Sequence, residues 1–170
     1  MKSYIIESQK NKIGKIKLVI SDVDGVLTDG GLYYSKEGLS IKKFNVKDGM
    51  GVLRLRETGI KNAIITTAKS DLMRKRAEAL KLDYYFEGVW DKETKLLEIC
   101  KAENLLPENI AFIGDDVNDL TIIDVAGFTA APIDAVDEVK NSVDIILSKK
   151  GGEGVFREFA ELIISNQKGN

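Results

Sequence analysis

Apolar and polar positions along this chain fall into short apolar runs of strand length, separated by stretches with a helical repeat. Residues 16–23 form the first apolar run and read as a strand. Residues 46–57 read as a helix with Gly59 as its stop, and residues 61–67 as a second strand. Ser70 or Asp71 caps a helix through Leu80. A short segment at 84–86 precedes a helix over residues 91–103, and Pro107 marks a loop before a strand at 110–114. Shorter units follow: helical at 120–125, strand at 128–130, helical at 136–140, strand at 144–147, and an amphipathic helix at 155–164. This βαβα order predicts an α/β fold with a doubly wound parallel sheet. With no repeat or low-complexity linker, residues 1–170 are expected to form one domain, closing in a Gly-rich tail at 150–170.

One segment breaks the alternation. Residues 31–44 read as two short strands around a Lys-Glu-Gly turn, a hairpin hanging off the carboxyl edge of the sheet. An isolated hairpin is marginal in water, so Leu32, Tyr34, Ile41 and Phe44 need a surface to pack on. That surface belongs either to the hairpin's own domain or to other copies of the chain. Edge-strand logic favours the second and predicts a homo-oligomer.

Composition narrows the chemistry. The chain holds no histidine, which removes Ser-His-Asp triads, histidine zinc sites and phosphohistidine mechanisms. A single cysteine, Cys100, allows no intramolecular disulfide and sits in a helix-like run where an apolar-face thiol is expected. At 44% hydrophobic residues the chain can bury a sizeable core. Its net charge of −2 is well mixed along the sequence, so neither a nucleic-acid stripe nor a charged tail is visible. Residues 1–17 are polar and lysine-rich without an apolar h-region, and nothing approaches membrane-spanning length. A soluble, cytoplasmic protein without a membrane or nucleic-acid partner is expected.

Carboxylates, lysines and hydroxyls must then carry any reaction. The first apolar run stops at Asp22-Val23-Asp24-Gly25. Strand alternation points Asp22 and Asp24 the same way, although an ordinary Asp-Gly turn would look similar. A second cluster decides between these readings: Ile110–Ile113 is followed by Gly114, Asp115, Asp116 and Asp119. Parallel strands bring their carboxyl ends to one crevice, so both sets of acids should face each other there. Unpaired they would repel, and hard oxygens without imidazole or thiolate suit Mg²⁺. Thr66 ends a strand, where its hydroxyl can meet an anion or simply be a hydrophilic strand end with a helix cap close behind. Lys92 opens a helix against the dipole, which reaching phosphate oxygens would explain.

In that order on an α/β frame, Asp22, Asp24, Thr66, Lys92, Asp115 and Asp119 resemble the haloacid dehalogenase superfamily of phosphatases. The stretches DVDGVLTDG and GDDVND carry the resemblance. The hairpin, the tail Gly-Gly-Glu-Gly-Val-Phe-Arg-Glu and the lack of a large cap resemble its branch acting on 3-deoxy-2-ulosonate phosphates. The resemblance implies a homotetramer whose tails cover neighbouring sites. It also implies that Asp22 attacks phosphorus and that Asp24 serves as acid and then base. Mg²⁺ would be held by Asp22, the backbone carbonyl of Asp24 and Asp115. Thr66 and Lys92 would grip the phosphoryl group, Asp119 would orient Lys92, and Asp116 would support the metal's outer shell. Lys47, Asp48 and Arg157 are the candidate contacts to a phosphorylated sugar acid.

The resemblance implies hydrolysis of 3-deoxy-D-manno-octulosonate 8-phosphate in lipopolysaccharide biosynthesis. Two alternatives stay open: a nonulosonate 9-phosphate of the sialic acid type, and a non-catalytic assembly module beside a sugar-activating enzyme. Thr66 is followed by Thr67-Ala68, where the branch commonly has glycine and a charged residue, and Lys47 stands where arginine is frequent. Lysine lacks arginine's bidentate carboxylate geometry. Arg157 either meets a substrate carboxylate in a neighbouring subunit's site or pairs with acids on the last helix.

Overall fold

The computed structural model describes residues 5–167, so the first four residues and the last three of the expected tail lie outside it. The chain enters through α1 (Glu7–Gly14) and β1 (Leu18–Ser21), then forms the antiparallel pair β2 (Tyr33–Ser35) and β3 (Gly38–Ile41). There follow α2 (Val46–Glu57), β4 (Lys61–Thr66), α3 (Asp71–Leu80), β5 (Tyr84–Glu87) and α4 (Lys92–Glu103). The rest alternates as β6 (Ile110–Ile113), α5 (Leu120–Val125), β7 (Phe128–Ala131), α6 (Asp137–Lys140), β8 (Ile145–Ile146) and α7 (Val155–Gln167). The expected elements are all present. Helix α1 was not expected, because of its eight residues only Ile13 is buried, too little apolar signal to read as a periodic face.

Six strands form one parallel sheet in the order β5-β4-β1-β6-β7-β8. From β1 the chain builds outward through β4 and β5, then returns to lay β6, β7 and β8 on the other side. The reversal lies between β1 and β6, where the carboxyl ends of parallel strands open a crevice. Alternate residues of the central strands supply two cores. Val19, Ile64, Ala111 and Ile113 join the cluster with Phe156, Phe159 and Ile163 of α7. Leu18, Ile20, Ile65 and Phe112 face the other way, onto Leu96, Ile99 and Cys100 of α4. Cys100 is thus a buried apolar-face thiol, as expected.

The hairpin leaves this frame just after β1. Its base is tied down by a bridge between Thr28 and Phe44, and Phe44 packs on the main core. Leu32, Tyr34 and Ile41 find no such surface, and Tyr34 is 70% exposed. No helix among the described residues is long and apolar enough to cross a membrane.

The Gly-rich segment before α7 lies directly on the loop that follows β1. The Gly152 amide donates to the Val26 carbonyl at 2.9 Å. A Cβ at Gly151 would sit 1.9 Å from the Gly25 carbonyl oxygen, a contact that only moving backbone could relieve. Gly151→Ala is therefore expected to destabilise the protein by about 2 kcal/mol and lower Tm by roughly 4–8 °C. The exposed neighbour Glu153→Ala should leave Tm unchanged. Thermal unfolding of both variants checks this, and an unaltered Tm for Gly151→Ala would contradict it.

Candidate active site

Strand β1 ends at Ser21, so Asp22 and Asp24 stand in the turn beyond it rather than on one strand face. Both still line one cleft of about 450 Å³ at the switch between β1 and β6, together with Gly25, Asp115 and Asp116. The turn, not strand alternation, brings the two acids to one cleft, and their carboxylates have different partners. Asp22 is buried and turned to Lys92, whereas Asp24 is turned to Lys42.

Lys92 organises the interior of the site. Asp91 caps α4 by accepting the Thr94 amide, which places Lys92 at the first helical position. Its side chain has no solvent exposure, and its Nζ lies 3.0 Å from Asp22 Oδ1 and 2.5 Å from Asp119 Oδ1. Burial alone would lower the pKa of Lys92, but the carboxylates of Asp22 and Asp119 outweigh it and hold the ammonium charged. The second oxygen of Asp119 accepts the Asp115 amide at 2.9 Å. Asp119 is therefore fully used in fixing Lys92 and the loop after β6.

Of the remaining acids, Asp22 is paired with Lys92 and Asp115 lacks a partner for one oxygen. Burial, reinforced by the charge of Asp119, pushes Asp22 up to about 7. Burial and the charges of Asp22, Asp119 and Asp116 push Asp115 up to about 8. Asp115 Oδ1 is buried and has no hydrogen-bond partner among the described residues. Asp22, Asp115 and Asp119 each offer an oxygen, and these atoms lie within 4.8 Å of one another. Both Asp119 oxygens and Asp22 Oδ1 already have partners, which leaves Asp115 Oδ1 as the one unpartnered buried oxygen of the three acids. A donor set of hard oxygens with one orphaned atom fits a divalent cation. Gly25, at φ +85°, makes this approach possible: a Cβ there would lie 1.9 Å from Asp115 Oδ2.

Other expected residues fall in different places. Thr66 is buried at the end of β4, and its hydroxyl accepts the Ala68 amide at 3.3 Å; the neighbouring Thr67 lines the cleft. Asp116 is exposed at the cleft rim and accepts the Val117 amide. Asp48 does not reach the cleft. It is buried, and its Oδ1 accepts the Arg157 amide at 3.0 Å, so it caps α7 from α2. Burial pushes its carboxyl up to about 6 against that hydrogen bond. Arg157 pairs with Glu161 at 2.8 Å, the on-helix alternative, and Lys47 is exposed beside Gly154. None of these three lines the cleft of this chain.

Two contributors were not foreseen. Trp90, 75% exposed, lines the cleft from the turn before α4, and an isolated aromatic in a turn gives no periodic signal. Lys42 clamps Asp24, with its Nζ 2.6 and 2.5 Å from the two carboxylate oxygens. Strand alternation could have found it only with the hairpin faced correctly. Expecting Ile41 to pack inward turned Lys42 outward, whereas Ile41 is 58% exposed and Lys42 is buried.

The chain as a whole has known counterparts. Residues 82–159 match the haloacid dehalogenase-like hydrolase family. The 3-deoxy-D-manno-octulosonate 8-phosphate phosphatase of Haemophilus influenzae is 40% identical over 93% of this chain and 88% of its own length. A cobalt-bound structure of the Haemophilus influenzae phosphatase superposes with a TM-score of 0.89 at 41% identity, covering 92% of each chain. The Moraxella catarrhalis 3-deoxy-D-manno-octulosonate 8-phosphate phosphatase, in complex with a magnesium ion, a phosphate ion and KDO, gives a TM-score of 0.93 at 36% identity. The match covers 96% of this chain and 94% of that one. With likeness sustained over nearly its whole length, the chain belongs to the haloacid dehalogenase superfamily of hydrolases, in its branch of 3-deoxy-D-manno-octulosonate 8-phosphate phosphatases.

Proposed function

We propose that this phosphatase hydrolyses 3-deoxy-D-manno-octulosonate 8-phosphate with Mg²⁺, through an aspartyl phosphate on Asp22. The observation that carries the chemistry is the buried Lys92 between Asp22 and Asp119, beside the orphaned oxygen of Asp115. The substrate rests on relatives that share nearly the whole chain and act on that ester by name. Residues 1–170 act as one phosphatase domain in this reading.

An oxygen of Asp22 attacks phosphorus while the bond from phosphorus to the sugar oxygen breaks. Asp24, once it has taken up a proton in exchange for part of its contact with Lys42, gives that proton to the leaving oxygen. It then takes a proton from the water that attacks phosphorus, which frees Asp22 and inorganic phosphate. Lys92, held charged by its acids, faces the phosphoryl oxygens from inside, and Thr66 and the amides after it complete their surroundings. Asp119 orients Lys92. Mg²⁺, held by Asp22, Asp115 and the Asp24 backbone carbonyl with Asp116 near its outer shell, supplies positive charge where dianionic phosphate meets carboxylates. Splitting one displacement into two steps suits a reaction whose barrier must fall by on the order of 20 kcal/mol.

The hairpin points to assembly. Leu32, Tyr33, Tyr34 and Ile41 are exposed on a two-stranded sheet too small to be stable in isolation. A homotetramer joined through these residues is part of the proposal. Light scattering should report four chains for the native protein and fewer for Tyr34→Glu; a native monomer would contradict it.

Two further outcomes are expected. With Mg²⁺, phosphate release should be faster from the octulosonate 8-phosphate than from a nonulosonate 9-phosphate. Excess chelator should abolish it, and Asp22→Asn should lower kcat more than about 10³-fold. Preference for the 9-phosphate would overturn the substrate assignment, and turnover by Asp22→Asn would overturn the mechanism.

Stability should also depend on pH in a definite sense. Burial holds Asp22 and Asp115 above their ordinary value of 3.8, near 7 and 8. Between those limits the folded state binds more protons than the unfolded one. The contribution of these two groups to stability in chelator is therefore largest below about pH 4 and falls as pH rises to about 8, by up to about 1.4 kcal/mol per pH unit per group. Mg²⁺ competes with these protons, so the Tm gain it gives should grow from pH 5 to pH 8. Asp115→Asn should flatten both profiles in calorimetry. An equal Mg²⁺ effect at the two pH values would contradict the site.

A further inference from the structure

Among the described residues two lysines are buried, Lys92 and Lys42, and the reaction above uses only the first. Lys42 follows β3, and its side chain is 1% exposed with its ammonium on both oxygens of Asp24. Its neighbours Ile41 and Lys43 are exposed, so this stretch of the hairpin sends one charged side chain inward. Asp24 keeps a side chain one-third exposed, so water could solvate it without a lysine. Anchoring does not demand the contact either. The hairpin base is already held by the Thr28–Phe44 bridge and by Lys43 on Asp29 at 3.2 Å.

We propose that Lys42 is a positioning residue for the phosphatase reaction: it fixes the Asp24 carboxylate toward the leaving-group side of the cleft. This rests on reading Asp24 as the acid and base. Thr28 Oγ1 donates to Asp24 Oδ1 at 3.1 Å, so the carboxylate is held from two directions and its rotation is restricted. Lys42 itself gives and takes no proton. The hairpin sets the acid–base group, and a displaced hairpin misplaces the proton donor without touching Asp22, Lys92 or Asp115.

The test compares kcat/KM, with Mg²⁺, on the sugar 8-phosphate and on p-nitrophenyl phosphate. The sugar oxygen must be protonated as it leaves, whereas nitrophenolate is a stable anion. Lys42→Met should lose about 10–100-fold on the sugar ester and less than about 3-fold on the aryl ester. Asp24→Asn should split the two substrates in the same sense, and Lys42→Arg should recover much of the native ratio. The ratio is taken within one preparation, so partial unfolding cancels. Equal losses on both esters, or no loss, with Asp24→Asn still splitting them would overturn the role of Lys42. No split in Asp24→Asn would overturn the acid–base reading and the proposal with it.

Discussion

The site depends on one buried ammonium. Lys92 lies in the first turn of α4, where the helix dipole disfavours it, and it has no solvent to stabilise its charge. Such a charge survives only with close, hydrogen-bonded partners, and removing one from a buried pair typically costs about 3–5 kcal/mol. Asp22 and Asp119 are those partners, and they come from the ends of two different parallel strands. Lys92 therefore ties the loop after β1 to the start of α5, above strands whose spacing the backbone ladder already sets. The cluster remains unbalanced, since Asp22, Asp115 and Asp119 face this one lysine. Burial raises the pKa values of Asp22 and Asp115, and that imbalance raises them further. The fold holds negative charge in reserve beside a position for an anionic substrate, a burden a divalent cation relieves.

A second constraint is backbone against backbone. The loop after β1 is pressed by Asp115 at Gly25 and by Gly151 and Gly152 from the segment before α7. The hairpin leaves from the same loop and returns Lys42 to Asp24. Three remote stretches of sequence thus converge on a few residues without any of them being a cap domain. The Gly-rich segment packs on the loop after β1, and Asp48 holds the start of α7 in place by capping it.

Much of this was legible in the sequence, because strong periodicity and strand-end acids are local signals. The βαβα order, the crevice at β1 and β6, and the grouping of Asp22, Asp115, Asp119 and Lys92 follow from runs of residues and from parallel topology. What was illegible depends on partners far along the chain. Asp48 reads as a polar residue at a helix start, and only the packing of α7 on α2 makes it a cap. Lys42 is hidden because a short strand with one face free has no core to reveal which side is inward. Helix α1 buries too little apolar surface to mark itself.

The measurement that bears most directly on this account is the state of Asp22 during turnover. The native enzyme, mixed with Mg²⁺ and the sugar 8-phosphate and quenched in acid within a turnover, should yield a phosphoryl adduct by peptide mass spectrometry. The adduct should lie on the peptide carrying Asp22, vanish in Asp22→Asn, and accumulate in Asp24→Asn when p-nitrophenyl phosphate, whose leaving group needs no proton, replaces the sugar ester. Full turnover with no adduct, or an adduct on another residue, would contradict the account.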